Sequence, residues 1–135
     1  MKRTPRSARV LLGSALLLGA VVFTSCTPAQ IAAVRAHHES LVANDKFHHV
    51  VSDAGLARLR QCESNGNYGI VSKNGSFRGA YQFHRGTWNA VANRHYPHLA
   101  GVDPAHASHY DQDRMARALW SEQGRRPWPH CGKRV

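Results

Sequence analysis

At 135 residues the chain has room for one small domain, which sets multidomain readings aside. Its 18 Lys and Arg against 8 Asp and Glu give a formal net charge of +10, so its partners are expected among polyanions.

The first 25 residues read as an export signal. Lys2, Arg3, Arg6 and Arg9 form a basic stretch without an acid, followed by an apolar run of fourteen residues from Val10 to Phe23, broken only by Gly13, Ser14 and Gly19. A bilayer span needs roughly 20 apolar residues, whereas a run this short suits the core of a signal peptide. Thr24-Ser25-Cys26 then resembles a lipobox, in which small residues precede a cysteine that becomes the lipidated N-terminus; Phe23 departs from the Leu usual there. Outside a cell the abundant polyanions are wall polymers and lipid headgroups, so nucleic acid is not expected as a partner. Removing the signal leaves 14 basic residues against 8 acidic ones.

Cysteine parity supports lipidation. The chain has three cysteines, Cys26, Cys62 and Cys131, and an odd thiol in an exported protein invites mispairing. Lipidation of Cys26 leaves Cys62 and Cys131 to pair in an oxidising compartment. That bridge would span 69 positions, and loop-closure entropy makes it worth about 4 kcal/mol.

Residues 26–52 read as a tether, partly helical, because Ile31, Val34 and Leu41 fall near one face. His37-His38 and His48-His49 lie in it, but no cysteine or spaced carboxylate accompanies them, so a solvated linker is expected rather than a metal site. The compact domain, residues 53–135, opens with a helix capped by Ser52 or Asp53 and running to Ser64, with Leu56 and Leu59 inward and Asn65-Gly66 as its stop. Glu63 falls in its last turn, where the helix dipole disfavours a carboxylate and raises its pKa. Asn74-Gly75 between Ile70–Ser72 and Ser76-Phe77 signals a hairpin. Thr87 is expected to cap a helix carrying Trp88, Val91 and Ala92. Asp103-Pro104 marks another helical start, and Ser108 with Asp111 caps a helix with Met115, Ala118 and Leu119 inward, stopped by Gly124. The order describes a small α+β domain with one hairpin and one disulfide.

Four motifs stand in order: Cys62-Glu63-Ser64-Asn65-Gly66-Asn67-Tyr68, Gly79-Ala80-Tyr81-Gln82-Phe83, Gly86-Thr87-Trp88 and Trp128-Pro129-His130-Cys131-Gly132. Together they resemble the resuscitation-promoting-factor family, wall enzymes with a lysozyme-like fold related to lytic transglycosylases, over Leu56 to Gly132. The resemblance implies that Glu63 is the catalytic acid, that Gln82 and Thr87 line a sugar-binding cleft, and that Cys62 and Cys131 form the family's disulfide. Asn65, Tyr68, Arg78 and Tyr81 depart from the Gly, Trp, Gly and Leu common at those positions. Tyr81 and Trp128 are candidates to stack on sugar rings, and Trp88 is expected in the core. The implied partner is the peptidoglycan glycan strand, with the membrane met only through a lipid anchor. The chain is read as a monomer of the cell envelope, needing no cofactor or metal.

After Glu63 the next acid is Asp103, so the hairpin and the helix behind it carry no carboxylate. Most glycosidases use two, about 5 Å apart for retention and roughly 6.5–9.5 Å for inversion. A lone Glu63 favours a substrate-assisted route, in which it protonates the glycosidic oxygen and then serves as base toward the sugar's 6-hydroxyl or water. Rival readings are a hydrolase recruiting Asp103, Asp111 or Asp113, a wall-binding lipoprotein without activity, and a histidine-rich metal-binding lipoprotein.

Overall fold

The computed structural model describes residues 27–135; the signal reading and Cys26 lie outside the described residues. The described residues form four helices, α1 (Pro28–Ala43), α2 (Asp53–Ser64), α3 (Arg85–His95) and α4 (His109–Gln123), and a small antiparallel hairpin of β1 (Phe77–Arg78) and β2 (Phe83–His84) between α2 and α3 in the chain. This is the α+β architecture expected, closed by the Cys62–Cys131 disulfide at a Cα separation of 5.6 Å.

Leu56 and Leu59 of α2, Trp88 and Val91 of α3, and Met115 and Leu119 of α4 meet in the core with Tyr81, Phe83 and Trp128. Trp88 sits there as expected, its indole N–H donating to the Leu99 carbonyl at 3.0 Å. Ser108 caps α4 by accepting from the Asp111 amide, and Gly124 ends it. Asp103-Pro104 opens only a short 3-10 turn, Pro104–His106.

Three local readings are corrected. Asn74-Gly75 does turn the chain, since Gly75 N–H donates to Ser72 and Ser72 N–H to Phe77. Its ladder, however, is a single bridge between Val71 and Arg78, and the regular pairing lies on the other side, Phe77 with His84 and Arg78 with Phe83. The turn between the strands is fixed from α4. Gly79 has φ +76°, and a Cβ there would stand 2.4 Å from Gln112 Oε1. That buried amide accepts from Ala80 N–H at 2.8 Å and donates to the carbonyls of Tyr68 and Ala107, so glycine is required where side chain and backbone meet.

Thr87 is not the cap of α3. His84 is, with Nδ1 accepting from the Gly86 amide at 3.2 Å, because the helix begins three residues earlier than the Thr rule suggested. Packing also starts before residue 53. Asp45 and Val51 are buried, and Phe47 packs edge-on against His95, so residues 45–51 clasp the domain rather than trail from it. Only α1, which buries no residue, has the solvated character read for the tether, and its last turn is held to the domain, the Leu41 carbonyl accepting from the Tyr110 hydroxyl.

Candidate active site

Glu63 is placed by three local devices. The Ser52 hydroxyl accepts from Gly55 N–H and starts α2, and Leu56 and Leu59 seat one face of the helix in the core. Asn65 then adopts a left-handed conformation, φ 55°, and the amides of Asn65 and Gly66 turn back to the carbonyls of Gln61 and Arg60. The helix therefore stops one turn past the core. Next to Glu63, the disulfide draws in Cys131 and with it Pro129 and His130. The half-buried carboxyl faces a groove lined by Phe77, Gln82, Pro127, Trp128, Pro129 and His130.

Burial raises the pKa of Glu63, because a carboxylate there loses hydration; His130 opposes this, since a positive imidazole favours the ionised acid. The end of the helix dipole adds to the upward push. Among the described residues no side chain hydrogen-bonds or ion-pairs with Glu63.

The groove continues past Phe77, Gln82 and Trp128 to Thr87, His84, Leu119 and Gln123. Gln82, in a left-handed conformation at φ 51°, donates its side-chain amide to Gly79 O at 3.0 Å, which braces the turn and leaves its amide oxygen without a hydrogen-bond partner among the described residues. Thr87 is half-buried in the first turn of α3. Glu63, Gln82, Thr87 and Trp128 are thus brought to one continuous groove. Trp128 is only 4% exposed and forms its floor, stacked on Trp120 at 5.8 Å with its indole N–H on the Tyr81 carbonyl.

Tyr81 is different. Its side chain is fully buried, and its hydroxyl donates to Asp113 at 2.6 Å and accepts from Arg60. Sugar stacking expected of Tyr81 is therefore replaced by a supporting role under the groove: Arg60, one turn before Glu63, is anchored through it. The aromatic that does present itself is Phe77, 46% exposed on the groove lip. It escaped the sequence reading, although an aromatic directly after an Asn-Gly turn is a visible sign of an exposed strand edge. His130, within the Trp128–Gly132 motif, carries no local sequence signal of its nearness to Glu63, which the disulfide brings about.

The rival acids are all occupied. Asp103 is clamped by Arg78 at 2.6 and 2.5 Å and by Arg85 at 2.6 Å, which holds its pKa below the usual range. Asp111 pairs with Arg114 at 2.5 Å, and Asp113 accepts from both Tyr68 and Tyr81. None of the three lines the groove around Glu63. Among the described residues no group of three or more His, Cys, Asp or Glu is arranged to hold a metal, and no helix is long and apolar enough to cross a membrane.

A half-buried helix-end acid facing an elongated groove, on an α+β frame closed by one disulfide, defines a transglycosylase-like domain. The family model of that description matches residues 51–131. The chain belongs to this family, and it is similar to resuscitation-promoting factors and to a probable transglycosylase. It is 38% identical over 78 residues to resuscitation-promoting factor Rpf of Micrococcus luteus, covering 58% of this chain and 31% of that protein. It is 38% identical over 76 residues to RpfE of Mycobacterium tuberculosis, covering 56% and 40%. It is 37% identical over 76 residues to the probable transglycosylase SceD of Staphylococcus aureus, covering 56% and 32%. The chain thus matches about a third of the length of these relatives.

Proposed function

We propose that this chain is an exported enzyme that cuts the glycan strands of bacterial peptidoglycan, with Glu63 as its single catalytic carboxylate. The observation that carries the proposal is the isolation of Glu63. Among the described residues it is the one acid on the groove, its pKa is raised by burial, and the rival carboxylates are held by arginines or tyrosines elsewhere. A protonated carboxyl at neutral pH is what a poor leaving group such as a sugar alkoxide requires.

In this reading a strand lies along the groove with a sugar face on Phe77, over the Trp128 floor, and polar contacts to the Gln82 amide oxygen and the Thr87 hydroxyl. Glu63 gives its proton to the glycosidic oxygen as the bond to the anomeric carbon breaks. With no second carboxylate on the groove, the substrate's N-acetyl oxygen stabilises the cationic carbon. Glu63, now ionised, takes the proton of the 6-hydroxyl as that oxygen closes on the anomeric carbon, or takes one from water. The first outcome makes the enzyme a lytic transglycosylase and the second a muramidase. Residues 1–25 act as the export signal and Cys26 as a lipid anchor, which places a monomer at the outer face of the cytoplasmic membrane.

The test is product analysis of purified peptidoglycan digested by Glu63→Gln and native protein. Native protein should release muropeptides, and mass spectrometry distinguishes anhydro ends from reducing ends. Glu63→Gln should fold, keep binding glycan and lose cleavage. An Asp103, Asp111 or Asp113 variant that folds and is as inactive as Glu63→Gln would replace the single-acid mechanism with a two-carboxylate one.

A further inference from the structure

The charge of this protein is unevenly spent. Of the 14 Lys and Arg in residues 27–135, six (Arg60, Arg78, Arg85, Arg94, Arg114 and Arg117) are paired with carboxylates. These pairs engage Asp45, Asp53, Asp103, Asp111, Asp113 and Glu122, which leaves Glu39 on α1 and Glu63 in the groove. Arg35, Lys46 and Lys73 are scattered. The other five cations, Arg58, Arg125, Arg126, Lys133 and Arg134, are exposed and have no ion-pair partner among the described residues.

The segments that carry these five come together. Arg125-Arg126 and Lys133-Arg134 flank, in sequence, the Pro127–His130 segment that forms the groove wall beside Glu63. The two flanks touch: a Cβ on Gly132 would stand 2.9 Å from Arg125 Cβ. Arg58 of α2 joins them, with its Nε donating to the Arg134 carbonyl at 2.6 Å. The disulfide fixes this block to the turn of α2 that carries Glu63. None of the five lines the groove itself, but they stand on the segments that flank its Pro127–His130 wall, and an uncompensated cationic surface there raises the local concentration of anions beside the groove.

We infer that this cationic wall binds the carboxylates of the peptide arms borne by the glycan strand, so that the enzyme reads the charge of its substrate as well as its sugars. The inference rests on the peptidoglycan reading above. Peptide arms project sideways from a strand lying in the groove, and their free carboxylates are the anions within reach of a wall that shares its backbone with the catalytic rim. An anionic lipid surface is the competing occupant, and it has no such tie to the groove.

The experiment compares KM and kcat on two preparations of one strand, both with peptide amines acetylated. In one the peptide carboxylates are free, and in the other they are converted to methylamides. Native protein at low salt should show a KM about five- to tenfold lower on the free-carboxylate strand, as several exposed ion pairs together supply. The preference should fall below about twofold in Arg125→Gln/Arg126→Gln/Lys133→Gln, and in native protein at about 0.5 M salt. kcat and cleavage of the methylamide strand should stay unchanged. Because Arg125 packs on Gly132, Arg126→Gln/Lys133→Gln serves as a second variant that leaves that contact intact. A carboxylate preference that survives in the folded variants overturns the inference, as does an equal rise of KM on both strands. Loss of binding to phosphatidylglycerol vesicles with the strand preference intact would overturn it too, making the wall a membrane contact. Native protein that cuts neither preparation would sink the peptidoglycan reading itself, a result distinct from losing only the preference.

Discussion

The two ends of the core treat buried charge in opposite ways. On the face away from the groove, Arg117 of α4 is 4% exposed at its side chain and bonds Asp45, Asp53 and the Val51 carbonyl. Asp45 also accepts from the Tyr96 hydroxyl at 3.2 Å. Nearly every polar atom of that cluster has a partner, and its effect is to clasp residues 45–51 onto the domain. At the groove, Glu63 is half-buried and has no hydrogen-bond partner among the described residues. A desolvated acid without a partner is costly to structure and useful to chemistry. Removing a charge from each place should therefore break different things.

The largest effect is expected at Glu63. Glu63→Gln keeps the shape and removes the proton, which should lower glycan cleavage by about 10²–10⁴-fold while leaving the thermal midpoint near that of native protein. Cys131→Ser comes next, acting on stability. Opening a loop of 69 positions should cost about 4 kcal/mol, read by urea unfolding of oxidised native protein beside the variant. The bridge also holds His130 against Glu63, so residual activity should fall even at temperatures where the variant is folded. Arg117→Met sharpens the contrast. It strands Asp45 as a buried carboxylate without its cation and should cost about 3 kcal/mol, the low end for a broken buried pair because Asp53 remains open to water. The folded fraction of Arg117→Met should retain native kcat. A kcat loss comparable to that of Glu63→Gln would mean that the clasp, and not only the groove, governs chemistry.

Much of this was legible in the residues. Period and caps disclosed α2 and α4, because Ser52, Ser108 and Gly124 act through short-range backbone contacts that sequence spacing reports directly. Cysteine parity disclosed the disulfide. What stayed hidden depends on partners far along the chain. Tyr81 looks like a cleft aromatic until Asp113, 32 positions away, claims its hydroxyl. Asp45 looks like a linker acid until Arg117, 72 positions away, buries it. His84 outcompetes Thr87 as a cap because the β2 pairing delivers it to the start of α3, and no local rule favours histidine there. The groove's aromatic lip at Phe77 was missed for a related reason: the exposed edge is set by which side of Arg78 forms the ladder.

The smallest effect expected is also the most discriminating, and it concerns His130. Glu63 must be protonated to act as acid, so the alkaline limb of kcat/KM falls as pH rises through its pKa. Burial pushes that pKa above the ordinary 4.5, and the positive form of His130 draws it back. His130→Gln removes the opposing charge, so the limb should move to higher pH. Stability follows the same sign. An acid whose folded pKa is raised binds more protons in the folded state, so its contribution declines as pH rises from 4.5 through the folded value. His130→Gln should therefore steepen the loss of stability with rising pH in this window. In a Glu63→Gln background the same substitution should leave that slope alone, because the group being tuned is gone. A limb that stays in place or moves to lower pH would show that His130 does not act on Glu63 through charge, and an unchanged effect in the Glu63→Gln background would place its influence in packing.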